Sequence, residues 1–288
     1  MTAGRTGPLR AARGVLKSRF FRESTTLQCA ALLKASCGLL SSVVLAVSLG
    51  ALEQSVFYLA VSVYALFWTL LNLGVGPIAT MHIAKEARSG DRARLEGWVG
   101  VSLRISFGLA SIALIAGLLG IALVSWGPAE ATFGGLFDGA GVRVVTLAAL
   151  LACSPLFESP RNIFIAGLQG ERRMLDVARV EVGQEVARLG CVTAGALMTR
   201  DAMGATVGML LGSLVGGLLS LDAYARVRRL ESSSLPRLRG ALGNREIQTT
   251  AVVREGIKVG LVRNVDSLGT ETVPALLVGQ LGDRTWVT

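Results

Sequence analysis

Long apolar segments alternate with short polar segments along most of the chain. A helix needs about 20 predominantly apolar residues to cross the roughly 30 Å hydrocarbon core of a bilayer. Seven segments have that character, and charged residues bound them: 27–50, 56–79, 99–124, 144–168, 175–198, 203–225 and 257–281. The fourth, fifth and seventh also contain charges, which can face the protein interior or an aqueous cavity. The pattern predicts an all-α, polytopic transmembrane helix bundle.

Basic residues are concentrated in every second connection between these segments. They occur in the N-terminal tail, around Lys85 to Arg94, at Arg172 and Arg173, and in a long sixth connection. Cytoplasmic connections collect Lys and Arg, so we expect a cytoplasmic N-terminus. The organisation is then a basic tail (1–25), a six-helix lobe (26–225), a basic cytoplasmic linker (226–256) and the first helix of an incomplete second lobe (257–288). The linker either lies on the membrane surface or is a disordered basic loop.

The composition does not fit an ordinary soluble domain. Hydrophobic residues make up 51% of the chain and charged residues only 17%. The net charge of +9 comes from clusters between apolar segments, which fits anionic lipid headgroups better than nucleic acid. The single histidine, His82, cannot build a metal site alone, and the four cysteines fit packing positions. We therefore expect no enzyme activity, no cofactor, no metal site and no nucleic-acid partner.

Glycine and proline positions predict two local features. Glycine recurs at every fourth residue from Gly204 to Gly216, so it lines one face of the sixth helix. A neighbouring backbone can approach such a face closely. In the fourth segment, Pro155 and Pro160 are expected to break or kink the helix, because proline lacks the amide proton and crowds the preceding turn.

Charged side chains inside the apolar segments are the candidates for a functional site. Each costs about 2.5–3.5 kcal/mol at the centre of a membrane helix, even on the lenient translocon scale. Two interpretations are open: ion pairs that hold the helices together, or side chains that line a transport cavity. Lys34 can also extend to the cytoplasmic interface. The candidates are the cations Lys34, Arg161 and Arg188 and the carboxylates Glu158, Glu185 and Asp266.

Three stretches carry a resemblance to a known family. They are Ser48–Val63, Leu71–Asp91 and Arg161–Met174, and the second contains an Asn-Leu-Gly, an Ala-Lys and a Gly-Asp. In order and spacing they resemble the oligosaccharide and polysaccharide flippases of the MOP (multidrug/oligosaccharidyl-lipid/polysaccharide) superfamily, which also includes the MATE multidrug antiporters. The stretch from residue 253 to 283, with Asn264, Asp266 and Leu281-Gly282, is similar to the start of that family's second lobe.

The resemblance implies a transporter that moves polyprenyl-diphosphate-linked oligosaccharides across a bacterial inner membrane for cell-surface polysaccharide synthesis. Lys34, Arg161 and Arg188 are then expected to hold the diphosphate, and Glu158, Glu185 and Asp266 to couple transport to an ion. The implied partners are the lipid-linked oligosaccharide, membrane lipids, and the glycan polymerase and glycosyltransferases of the same pathway. A cation-coupled MATE-type antiporter and a membrane-embedded glycan polymerase or ligase are the alternatives.

The family has two pseudo-symmetric lobes around a central cavity. The seven predicted helices supply one lobe and the first helix of the next, so we expect this sequence to be a truncated chain. Alternating access requires one bundle to move against another. Alone, the chain is expected to insert in a membrane without flipping substrate.

Overall fold

Helices form almost all of the part of the chain that the computed structural model describes, which is residues 19–71, 74–89, 92–125, 141–230, 254 and 256–260. No strand occurs in these ranges. Residues 254 and 256–260 are helical, and the longer helices are α1 (Arg19–Ser48), α2 (Ala51–Leu71), α3 (Val75–Ser89), α4 (Arg92–Ser125), α5 (Gly141–Leu151), α6 (Pro155–Gly170), α7 (Met174–Thr199) and α8 (Ala202–Leu230). The predicted all-α bundle is confirmed.

Five segments of these helices are long and apolar enough to cross a membrane. They are Glu23–Ser48, Ala51–Thr69, Arg94–Leu123, Gly141–Gly170 and Ala202–Val227. The protein is therefore a multi-pass membrane protein. The predicted seventh segment, 257–281, lies almost wholly outside the described residues, and so does the linker after Leu230 up to residue 253.

The fourth apolar segment is broken in its middle, as its prolines predict. Between α5 and α6 the backbone turns tightly: the Cys153 amide donates to the Leu150 carbonyl at 3.1 Å, and the Ser154 amide to the Leu151 carbonyl at 2.8 Å. Pro155 then occupies the first position of α6, where its missing amide proton is not needed. Pro160 lies inside α6 without ending it. The second helix of this crossing thus begins near the middle of the membrane.

The second apolar segment is also divided, which its hydropathy does not show. The predicted range was 56–79, whereas α2 spans Ala51–Leu71 and α3 spans Val75–Ser89. Gly74, between them, has a φ of +64°. A Cβ at this position would lie 2.8 Å from the backbone nitrogen of Gly260. Glycine is therefore required both by the left-handed backbone and by the close approach of the later segment.

Helix α7 is too highly charged to be one of the five spanning segments, although its range matches the fifth predicted one. It packs along α8 for most of its length and along α1 on another side. Each glycine of the α8 stripe (Gly204, Gly208, Gly212, Gly216) faces the α7 backbone or a side chain close to it. A Cβ on Gly212, for example, would lie 2.7 Å from the Arg188 Cα. The predicted close packing is confirmed.

The connections fall on two opposite faces of the bundle. On one face, Arg143 of α5 forms a bidentate ion pair with Glu53 of α2, with N–O distances of 2.7 and 2.9 Å. The same carboxylate accepts the amide of Ala202 at the start of α8, at 2.9 Å. On the other face, Gly170 at the end of α6 contacts Ile83 of α3. We call this second face the basic face, because it carries the Lys- and Arg-rich connections.

Two apolar clusters fill the two halves of the bundle. The cluster nearer the basic face comes from α3, α4, α6, α7 and α8 and includes Ile83, Leu168 and Tyr224. The other comes from α1, α2, α5, α7 and α8 and includes Phe57 and Leu147. Along the chain, Glu158 and Arg161 of α6 and Glu181, Glu185 and Arg188 of α7 lie between residues of one cluster and residues of the other, so the bundle has a polar layer near its middle.

The glycine stripe gives a stability test. Gly208→Ala should destabilise the protein, because the added methyl group would meet the Cys191 carbonyl and lie 2.7 Å from the Val192 Cα. Overpacking of this kind costs about 1–3 kcal/mol. The control is Gly108→Ala on α4, where nothing lies within 4 Å of the added atom. The measurement is the SDS-induced unfolding midpoint in mixed micelles, and equal midpoints for the two variants would contradict the packing.

The Asp201 cap of α8 predicts how the stability of the protein changes with pH. The Asp201 carboxylate accepts the Gly204 amide at 2.8 Å and lies 2.7 Å from the Thr199 hydroxyl. Burial opposes the charge, but these bonds and the nearby Arg143 outweigh it and hold the Asp201 pKa below its ordinary value. The cap should therefore stabilise the fold at neutral pH, and this contribution should fall between about pH 5 and about pH 2 as the carboxylate is protonated.

Asp201→Ala should lose about 1 kcal/mol at neutral pH, the usual value of an N-cap. Asp201→Asn keeps an oxygen acceptor but does not titrate. Its unfolding midpoint should therefore change less with pH than that of the wild type. A wild type and an Asn variant with the same pH profile would show that Asp201 is not the titrating group.

Candidate functional site

The candidate site is the polar layer, which five helices build near mid-membrane. Glu185 lies eleven residues after the start of α7 and fourteen before its end, or about 16 and 21 Å at 1.5 Å per residue. Lys34 has a similar central position in α1. The members of the polar layer are Lys34 (α1), Tyr64 (α2), Ser154 in the α5–α6 turn, Glu158 and Arg161 (α6), Glu181, Gln184, Glu185 and Arg188 (α7), and Ser213 (α8).

Glu185 is the most buried charge of the layer. Its side chain is 4% exposed, and one carboxylate oxygen lies 2.6 Å from a guanidinium nitrogen of Arg188, one turn further along α7. The other oxygen lies 3.9 Å from the Lys34 ammonium on α1. A carboxylate removed from water needs such neighbours, because burial strongly disfavours an unpaired charge.

The two cations around Glu185 are much less buried than the carboxylate itself. The side chains of Lys34 and Arg188 are 46% and 31% exposed. Each cation therefore presents one side to Glu185 and leaves another side open at the surface of the bundle. A second anion can approach them there without leaving Glu185 wholly unpaired.

Arg161 holds a different position, beside the carboxylates rather than paired with one. Glu158, Glu181 and Glu185 all act on its charge, but in the described part of the chain none comes within ion-pair distance. Its terminal nitrogen donates to the Asn162 amide oxygen at 3.2 Å. Its Nε is buried and donates to nothing among the described residues. Arg161 thus has an unused donor beside the cluster.

Glu158 lies in the first turn of α6, and a residue of α8 donates a hydrogen bond to it. The Ser213 hydroxyl donates to its carboxylate at 2.8 Å. The N-terminal end of a helix carries a partial positive charge, which stabilises a carboxylate in the first turn. The break before Pro155 places this end of α6 at mid-membrane. The backbone amides of its first turn can therefore stabilise the Glu158 carboxylate inside the bundle.

Four neutral polar residues of the layer were missed by the sequence analysis: Tyr64, Ser154, Gln184 and Ser213. Their side chains are buried, and the Gln184 carbonyl oxygen makes no hydrogen bond within the described ranges. Tyr64 lies close to Ser154 and Glu158. Serine and tyrosine inside an apolar segment hardly lower its hydropathy, so only the fold reveals that they meet the charges.

The structure brings together five of the six candidates named from the sequence. Lys34, Glu185 and Arg188 form one connected group, and Glu158 and Arg161 lie next to it on α6. The sixth candidate, Asp266, lies outside the described residues. With Glu181 included, cations and carboxylates are equal in number in the layer. Such a group can bind an added anion by exchanging ion-pair partners.

The central role of Glu185 can be tested by stability. Glu185→Gln removes the charge that holds Lys34 and Arg188, and removing one partner of a buried ion pair is strongly destabilising. Glu181→Gln is the matched control on the same helix, since Glu181 is only half-buried and forms no ion pair within the described part. Glu185→Gln should lower the SDS unfolding midpoint clearly more than Glu181→Gln. Equal midpoints would contradict the central role.

Comparison of the chain with protein-family models, with curated proteins and with solved structures gave no match.

Proposed function

We propose that this chain supplies a cation-bearing bundle of a flippase-type transporter, which carries polyprenyl-diphosphate-linked oligosaccharides across a bacterial inner membrane, and that its N-terminus lies in the cytoplasm. The observation that carries the proposal is a group of three cations at mid-membrane, Lys34, Arg161 and Arg188, two of which are only partly buried. Cations at that depth are costly, and membrane proteins that keep them commonly use them on the path of a substrate.

The chemistry of the cations matches a diphosphate. Guanidinium groups bind phosphate oxygens through paired, charge-assisted hydrogen bonds, and an ammonium adds a point charge. The diphosphate would approach the exposed sides of Lys34 and Arg188. It would also accept a hydrogen bond from the Arg161 Nε, which has no other acceptor among the described residues. Its charge would then be neutralised by the protein where no headgroup water is present.

The carboxylates are proposed to couple transport to an ion. A diphosphate that draws Arg188 and Lys34 toward itself weakens their hold on Glu185. A buried carboxylate with fewer cations around it takes up a proton or a metal cation more readily. Glu185 and Glu158 are therefore the ion-coupling groups of the described part of the chain, and Asp266 is expected to join them. Binding and release alternate without any covalent step.

A cation-exporting antiporter of the same superfamily is the rival that this site disfavours. Its substrate would have to lie next to three fixed positive charges, of which the two arginines cannot lose theirs at any physiological pH. An anionic substrate can approach Lys34 and Arg188 at their exposed sides, whereas their carboxylate partner Glu185 is only 4% exposed. The same feature gives the sharpest test, because the two substrate classes have opposite charge.

The test is binding to the purified chain in neutral detergent, measured by microscale thermophoresis. The probes are a short-chain polyprenyl diphosphate disaccharide, the uncharged polyprenyl disaccharide of the same length, and the lipophilic cation tetraphenylphosphonium. The diphosphate should bind at least about tenfold more tightly than the uncharged lipid, as expected for one charge-assisted contact or more. Arg161→Ala should remove most of that difference, and Arg161→Lys should restore part of it.

Arg179→Ala is the matched control, since Arg179 is an exposed arginine of α7 that pairs with Asp176 away from the polar layer. It should bind the diphosphate as the wild type does. Preferential binding of tetraphenylphosphonium would favour the antiporter. Unchanged diphosphate binding by Arg161→Ala would overturn the assignment of the site.

A further inference from the structure

A second group of cations lies on the basic face, away from the polar layer. Lys85 and Arg88 are in the last turns of α3, and Arg172 is in the turn between α6 and α7. All three side chains are exposed. None of the three forms an ion pair with any described residue. In contrast, Arg179 and Arg226, toward the same end of the bundle, pair with Asp176 and Asp222.

The packing of α3 on α6 brings these cations to one place. A Cβ on Gly170 would lie 2.6 Å from the Ile83 side chain and 3.1 Å from the Ala84 nitrogen, so the end of α6 touches the backbone of α3. Lys85 follows that contact directly in sequence, and Arg172 follows Gly170 by two residues. The turn after α6 is therefore held against the last turns of α3.

The backbone at Arg172 is one that glycine would adopt at lower cost. The Arg173 amide donates to the Leu168 carbonyl at 2.8 Å, and the Arg172 amide to the Gln169 carbonyl at 3.0 Å. These bonds form the Schellman motif that ends α6, and its left-handed position is usually glycine. Here that position is Arg172, with a φ of +59°. Replacing Arg172 with glycine would therefore remove the cation without adding strain to the backbone.

Two carboxylates, those of Glu86 and Glu171, lie next to these cations in sequence. One Glu86 oxygen lies 3.2 Å from the Ser89 hydroxyl. The Glu171 carboxylate is buried, and that residue has a partner within the protein. The basic residues of these two segments, Lys85, Arg88, Arg172 and Arg173, outnumber the two carboxylates by two, which leaves a local excess of positive charge.

The depth of the group matches the headgroup region of a membrane. The apolar segment that contains α6 ends at Gly170, two residues before Arg172. Side chains just beyond the end of a spanning segment lie among the lipid phosphates. A guanidinium can bind a phosphate through two hydrogen bonds, and nearby cations add attraction for an anionic leaflet.

We propose that Lys85, Arg88 and Arg172 form a binding site for the phosphate headgroup of an anionic phospholipid. The site holds a resident lipid of the leaflet on the basic face, so it is separate from the transport site of the polar layer. It also fixes the depth of the α6–α7 turn, because a bound headgroup contacts α3 and this turn together.

The experiment is native mass spectrometry of the protein released from micelles that contain dioleoylphosphatidylglycerol or dioleoylphosphatidylcholine. The wild type should retain phosphatidylglycerol in preference to phosphatidylcholine. Arg172→Gly removes the cation and also relieves the backbone strain, so it should fold at least as well. It should bind phosphatidylglycerol about fivefold more weakly, since one cation near an anionic surface contributes ~1 kcal/mol. Lys85→Gln combined with Arg88→Gln should weaken binding further.

The matched control is Arg200→Gly. Arg200 has the same left-handed backbone, with a φ of +55°, at the end of α7, but it lies on the opposite face. It should retain phosphatidylglycerol as the wild type does. Inorganic phosphate should displace no more lipid than chloride at equal ionic strength, which separates a lipid site from a free-phosphate site. Wild-type retention by Arg172→Gly, an equal loss in Arg200→Gly, or equal retention of both lipids would overturn the proposal.

Discussion

The pairing of Glu185 with Lys34 and Arg188 is the interaction on which the rest of the bundle depends. A carboxylate with a side chain only 4% exposed can remain charged in a membrane only if cations lie beside it. One cation comes from its own helix and the other from α1, so the pairing fixes how α1 and α7 lie against each other. Helix α7 is not apolar enough to count as a spanning segment by itself, and its place in the bundle depends on such neighbours.

The glycine stripe of α8 also accommodates the charged helix α7. Gly212 faces Arg188, and Gly216 faces Gln184. The smallest residues of α8 thus lie opposite the large polar residues of α7, which leaves room for these side chains while the two backbones stay close. Close packing replaces the lipid contacts that a charged helix cannot make favourably. The polar layer and the glycine stripe therefore have to be understood together.

The interrupted helices concentrate polar groups at the same depth. The turn before Pro155 places the start of α6 beside the charges, and Glu158 lies in that first turn. The backbone there offers partial positive charge without adding another cation. The break at Gly74 has a different role, because residues 256–260, which follow the linker, pack against it. One break serves the polar layer, and the other joins the bundle to the later part of the chain.

The sequence by itself determined the fold class, most of the helix positions and the charged residues of the candidate site. Apolar length predicts membrane helices because the bilayer sets one thickness for all of them, and Pro155 predicts a break because proline cannot donate a backbone hydrogen bond. The glycine repeat likewise indicated the close face of α8. These features are local, and each has its cause within a few residues of chain.

Only the tertiary structure decided which charges meet and which polar residues join them. Lys34 and Glu185 are far apart in sequence, and nothing in either segment indicates the partner of the other. Tyr64 and Ser154 were missed because an apolar segment tolerates them without any visible change in hydropathy. The hydropathy of the segment did not reveal the break at Gly74, where the backbone meets Gly260 from a distant part of the chain. Contacts between distant segments depend on how helices pack, and that information is not carried by the periodicity of any one of them.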